Sequence, residues 1–81
     1  MGYFVYIIKS LSSGRYYIGQ CRDLKNRISE HNQGRVRSTK AYIPWRLCYY
    51  EEYETRGEAM RRERELKAVK KRKYLEKLMG E

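Results

Sequence analysis

The sequence predicts a small α/β (α+β) domain: a three-stranded antiparallel sheet flanked by helices, in the order β-β-α-β-α-α. Three observations support this. Three short runs are rich in β-branched and aromatic residues, two later stretches place apolar residues at helical spacing, and turn residues separate them. With 81 residues the chain forms one domain, 1–81. A chain of this size buries only about 60% of its unfolded surface, so two layers are the most it can build. Residues 3–67 form the expected core and 68–81 a basic helical tail.

Tyr3-Phe4-Val5-Tyr6-Ile7-Ile8-Lys9 is β-branched and aromatic almost throughout, as in a strand buried on both faces. Ser10 to Gly14 is turn chemistry. Residues 15–21 form the second strand, and the short link makes the pair a hairpin. With the turn centred on Ser12-Ser13, Leu11 opposes Gly14 and Ile8 opposes Tyr17. Gly19 inside this strand predicts a bulge or a close approach to the backbone. Asp23 is placed as an N-cap. Leu24, Arg27, Ile28 and His31 follow on one helical face, and Gly34 stops the helix. Residues 33–44 are expected as a mobile loop. Residues 45–53 form the third strand. Thr55-Arg56-Gly57-Glu58 is a capping box. It opens a helix to about Val69 whose inward stripe is Ala59, Met60, Glu63 and Leu66. A last short helix over 70–79 packs Tyr74, Leu75, Leu78 and Met79 and exposes a basic cluster.

Charge narrows the partners. Nineteen Lys and Arg against ten Asp and Glu give a formal +9. So much positive charge on a small surface favours a polyanion, and nucleic acid leads. Cys21 and Cys48 are too few for a disulfide framework or a zinc knuckle. There is no signal-peptide core and no stretch near the ~20 apolar residues of a membrane span. A cytoplasmic protein with reduced thiols and no membrane partner is expected.

Three inward polar residues stand out. A buried charge without a partner costs several kcal/mol. Glu63, between Ala59 and Leu66, therefore faces a cleft, pairs with a cation or binds a metal. Arg27 and His31 share a face with Leu24 and Ile28 and point toward the sheet. Alone, His31 reads as a satisfied histidine at a core margin. Together the three suggest a polar site beside the core. In the expected register Tyr6 and Tyr17 are diagonal neighbours on one face of the hairpin. A one-residue slip would separate them.

These residues resemble the GIY-YIG nuclease superfamily, and most closely its small stand-alone, UPF0213-like bacterial members. Phe4-Val5-Tyr6 stands as the first motif and Tyr17-Ile18-Gly19 as the second. Arg27 is the helical arginine, with His31 one turn later. Glu63 falls where the family places its metal-binding glutamate. The stretches Glu30 to Gly34 and Arg61 to Lys67 look like the stand-alone group. Phe4 and Val5 replace the glycine and isoleucine that name the first motif. Residues 68–81 hold no asparagine to support the site, and a lone domain without a separate DNA-binding domain is expected.

The resemblance implies a metal-dependent endonuclease that hydrolyses phosphodiester bonds, related to DNA repair or processing. Glu63 would hold one Mg²⁺ or Mn²⁺, with no small-molecule cofactor. Arg27 would brace developing charge, and Tyr6 would act as general base beside Tyr17 and His31. A tyrosine of pKa ~10 needs roughly 4 kcal/mol of help to work near pH 7. Arg35, Arg37, Lys40, Lys70, Lys71, Arg72 and Lys73 are the expected phosphate contacts. They would bind DNA in preference to RNA, and largely without sequence preference. Two rival readings are a nucleic-acid-binding domain of the same fold that cleaves poorly or not at all, and a protein-interaction module whose basic face binds an acidic partner.

Overall fold

The computed structural model describes residues 2–69 and 71–80. Three strands, β1 (Tyr3–Ser10), β2 (Tyr16–Cys21) and β3 (Trp45–Tyr53), form an antiparallel sheet of order β2-β1-β3. Three helices, α1 (Leu24–Asn32), α2 (Arg56–Val69) and α3 (Arg72–Leu78), complete the expected order. The hairpin register is the one the turn predicts, with Ile8 opposite Tyr17 and Tyr6 opposite Gly19.

β1 is the central strand and is buried on both faces, which explains its unbroken apolar run. Val5 and Ile7 pack with Ile18 against Ala59 and Leu66 of α2 and Leu75 of α3. Tyr6 and Ile8 face the other way, toward Trp45, Leu24 and Ile28. Helix α1 therefore covers one face of the sheet, and α2 with α3 the other. A register shift between Ile7 and Ile8 puts an extra residue, Cys48, into β3. This bulge keeps Leu47 on the α1 face while Tyr49 turns to the α2 face.

The helix ends follow their local chemistry. Asp23 Oδ1 accepts the Asn26 amide at 3.0 Å. Gly34 ends α1 with a φ of 75°. The Thr55 amide donates to Glu58 Oε1 and the Glu58 amide to Thr55 Oγ1, both at 3.2 Å.

Three expectations need correction. Tyr74, expected to pack inward with Leu75, is exposed, because α3 buries only Leu75. Met60 is exposed, because α2 buries only a narrow stripe through Ala59 and Leu66 and turns Met60 away from it. The segment 33–44 is not a plain loop. It carries a 3₁₀ turn at Lys40–Tyr42, and Thr39 is fully buried. Its polar residues look solvent-seeking in sequence, but Thr39 finds hydrogen-bond partners inside.

Candidate active site

The site begins with a glycine. Tyr6 sits opposite Gly19, and its ring leans across that residue's Cα. A Cβ at position 19 would lie 2.5 Å from the Tyr6 hydroxyl and 2.7 Å from Cζ. Real Cβ atoms do not approach so closely, so only glycine admits this ring. The expected close approach to the Gly19 backbone is thus made by Tyr6. Tyr17 is its diagonal neighbour, with ring centroids 6.5 Å apart.

Tyr6 is 1% exposed and His31 0%, and the Tyr6 hydroxyl lies 2.9 Å from His31 Nε2. On the other side of the ring, His31 Nδ1 lies 2.7 Å from Thr39 Oγ1. Thr39 Oγ1 donates its own proton to the Val36 carbonyl at 3.4 Å. In the Nδ1–H tautomer it accepts from His31 at the same time. Nε2 is left as an acceptor, and Tyr6 donates to it. The Trp45 indole donates to the Thr39 carbonyl at 2.9 Å. Asn32 exchanges two hydrogen bonds with the Trp45 backbone, which ties the end of α1 to the start of β3.

Burial sets the titration of this pair. It pushes the Tyr6 phenol up to about 12, against the pull of Arg27. Burial also lowers His31, with the Arg27 charge acting in the same direction, so the imidazole is neutral at physiological pH. Arg27 NH1 donates to Glu30 Oε1 at 3.3 Å. Its buried Nε has no hydrogen-bond partner among the described residues.

A tyrosine opposed by the strand glycine, a histidine on its hydroxyl and an arginine beside it form one constellation. The model of the GIY-YIG catalytic domain matches residues 2–76. The chain belongs to the GIY-YIG family. Curated relatives include the UPF0213 proteins of Staphylococcus aureus strains Mu50 and N315. Each is 42% identical over 74 residues, covering 90% of this chain and 89% of the relative. The solution NMR structure of the UPF0213 protein BH0048 from Bacillus halodurans aligns with a TM-score of 0.61 at 32% identity. That alignment covers 99% of this chain and 84% of the other. Membership implies a nucleic-acid substrate.

Glu63, the expected metal ligand, is placed differently from the other four side chains. Arg27 and His31 approach the sheet from the α1 face, whereas Glu63 belongs to α2 on the opposite face. The Glu63 side chain is 20% exposed, and its carboxylate pairs with Lys67 Nζ at 3.1 Å. Lys67 Nζ in turn lies 6.0 Å from the centre of the Tyr17 ring. The two halves are therefore linked at the β2 edge through Lys67 and Tyr17. No group of three or more His, Cys, Asp or Glu able to hold a metal occurs among the described residues. A lone carboxylate suits a hard cation that keeps waters and gains phosphate oxygens, and does not suit zinc.

Of the expected phosphate contacts, Arg35, Arg37, Lys40, Lys71 and Lys73 are exposed. Arg72 is exposed but engaged, by Glu76 at 3.2 Å and by the Tyr16 ring at 4.9 Å. Lys70 lies outside the described residues. Burial pushes the Cys21 thiol up to about 11, so it is no nucleophile at neutral pH. No helix among the described residues is long and apolar enough to cross a membrane.

Sequence reasoning missed Thr39, which holds the His31 tautomer, and Asn32, which anchors α1. It also missed the pair behind β3, where Arg62 donates twice to Glu51, at 2.9 and 3.1 Å. Tyr49 and Tyr53 donate to the same carboxylate. The signal was present only as a Tyr49-Glu51-Tyr53 alternation, which puts all three on one face of β3.

Proposed function

We propose that this chain is a metal-dependent endonuclease that hydrolyses phosphodiester bonds of DNA, acting in DNA processing or repair. The buried hydrogen bond from Tyr6 to His31 Nε2, beside the half-exposed guanidinium of Arg27, carries this reading. A tyrosine pushed up to about 12 is a poor base alone. Here it need not become a free phenolate. As the attacking water gives its proton to Tyr6 Oη, Tyr6 passes its own proton to His31 Nε2. The hydroxide bonds to phosphorus, the leaving oxygen takes the electrons of the broken P–O bond, and the buried His31 hands its proton back through Tyr6 Oη to that leaving oxygen. Thr39 keeps Nε2 directed at Tyr6 throughout. The exposed end of the Arg27 guanidinium offers donors to the phosphoryl oxygen as charge builds on it. Glu63 would hold Mg²⁺ or Mn²⁺, which supplies charge neutralisation at the phosphate.

A second reading, a nucleic-acid-binding domain that cleaves poorly, is favoured by one observation: Lys67 already occupies the Glu63 carboxylate. A cleavage panel separates the two. Single-stranded, duplex and branched DNA and RNA are incubated with Mg²⁺ or Mn²⁺ and the wild type, Glu63→Ala or Arg27→Ala. The nuclease reading expects metal-dependent cutting that falls on the order of 10²-fold or more in either variant, the size of losing one preorganised charge-stabilising group. No cutting of any substrate, or cutting unchanged in both variants, refutes it. Binding at low salt without cutting would leave the second reading.

A further inference from the structure

On the α1 face, the short helix leaves part of β1 and β3 uncovered. A groove of about 800 Å³ opens there, floored by Phe4, Leu47, Ile28 and Tyr50. Tyr50 is 53% exposed, unusual for a large ring on an otherwise apolar wall. Phe4 packs against it in a T-shaped pair, with centroids 5.9 Å apart and planes at 65°. Phe4 thus props the Tyr50 ring, and the residue stays half exposed to a ligand. Two exposed cations, Lys25 and Arg22, stand on the rim, with the Arg22 guanidinium 4.9 Å from the centre of the Tyr3 ring. The rim carboxylate, Asp23, is engaged by the Asn26 amide. Arg22 and Asp23 also line the neighbouring cleft that contains Arg27, so the groove continues from the candidate site.

We infer that this groove is a stacking subsite for an unpaired nucleobase, which makes the substrate single-stranded where it crosses the Tyr50 side of the domain. The inference rests on the nucleic-acid reading above and deepens it. An apolar groove of this volume holds a base with its sugar. The π-face of any base stacks on an aromatic ring, while neighbouring cations hold the backbone. A duplex keeps its base faces inside the stack and has none to offer the Tyr50 ring. A second copy of the chain is a poor occupant, because each copy carries a formal +9.

The test is fluorescence anisotropy of a short labelled oligonucleotide, single-stranded or annealed, in EDTA so that nothing is cut. Tyr50→Ser is expected to weaken single-strand binding about tenfold or more, the range of one lost base stack. Tyr50→Phe keeps the stack and keeps the affinity. Duplex binding is unchanged in both variants. The salt slope for the single strand is unchanged by Tyr50→Ser but shallower by up to about 1.4 in the double variant Arg22→Gln, Lys25→Gln. Equal single-strand affinity in Tyr50→Ser and wild type overturns the inference, as does an equal loss on the duplex. Sedimentation showing a dimer that Tyr50→Ser dissolves overturns it too, in favour of a second copy. Absence of all binding by wild type at low salt overturns this inference and the nucleic-acid reading together. Tyr50-dependent binding without any cutting in the metal panel overturns only the nuclease reading.

Discussion

Gly19→Ala tests the central packing of the site. The new Cβ would meet the Tyr6 hydroxyl at 2.5 Å, Cζ at 2.7 Å and Cε1 at 3.1 Å. Tyr6 is walled in by β1, α1 and Trp45, so the ring cannot yield freely. Overpacking of this kind costs about 1–3 kcal/mol. Moving the ring also stretches the 2.9 Å contact to His31, and a buried acceptor left without a partner costs about 1–3 kcal/mol more. Alanine recovers about 0.5–1 kcal/mol relative to glycine within a strand. The net loss is about 1–5 kcal/mol, from a domain whose whole stability is about 4–12 kcal/mol at this length. Urea unfolding followed by circular dichroism measures it. The double-mutant cycle with Tyr6→Leu isolates the cause, because leucine lacks the distal ring atoms that clash. In that background Gly19→Ala should be neutral or slightly stabilising, giving a coupling well above the ~0.5 kcal/mol of independent sites. A Gly19→Ala protein within 0.5 kcal/mol of wild type by urea melt, or a coupling near zero, would refute the packing argument.

Acid should destabilise the protein in two stages. His31 is held below 6.5 by burial and then by Arg27, so the unfolded chain takes up that proton first. Stability from this group is complete above pH 6.5 and falls below it, by at most about 1.4 kcal/mol per pH unit. Burial raises Glu51, but hydrogen bonds from Arg62, Tyr49 and Tyr53 outweigh it and hold the group below 4.5. A second loss therefore begins near pH 4.5. Urea melts across a pH series should show both stages in wild type and only the second in His31→Gln; an identical first stage in the variant contradicts the assignment. Arg62→Ala should cost about 1–3 kcal/mol by thermal or urea unfolding, below the 3–5 of a fully buried pair because both side chains keep some exposure. A loss under 0.5 kcal/mol would place the Arg62–Glu51 pair among ordinary surface contacts.

Much of the fold was legible because its signals are local. The unbroken apolar run of β1 marks a strand buried twice, Asp23 and the Thr55–Glu58 box mark helix starts, and the Ser12-Ser13 turn sets the register that pairs Tyr6 with Gly19. Those same local rules place Arg27 and His31 on the inner face of α1. Thr39 was not legible, since a threonine among serines and arginines looks the same whether it faces water or a histidine eight residues away in sequence. Met60 misled because a helical stripe read from sequence has no fixed width until the partner surface is known.

The sequence by itself determined that a tyrosine, a glycine, an arginine and a histidine would share one end of a small sheet, because strand alternation and helix periodicity are properties of neighbouring residues. Only the tertiary structure decided which way each polar atom points. The Tyr6 ring lies over the bare Cα of Gly19, His31 is held between Tyr6 and Thr39, and Glu63 meets Lys67 on the far side of the sheet. These depend on close contacts between elements distant in sequence, where a few tenths of an ångström separate a hydrogen bond from a clash.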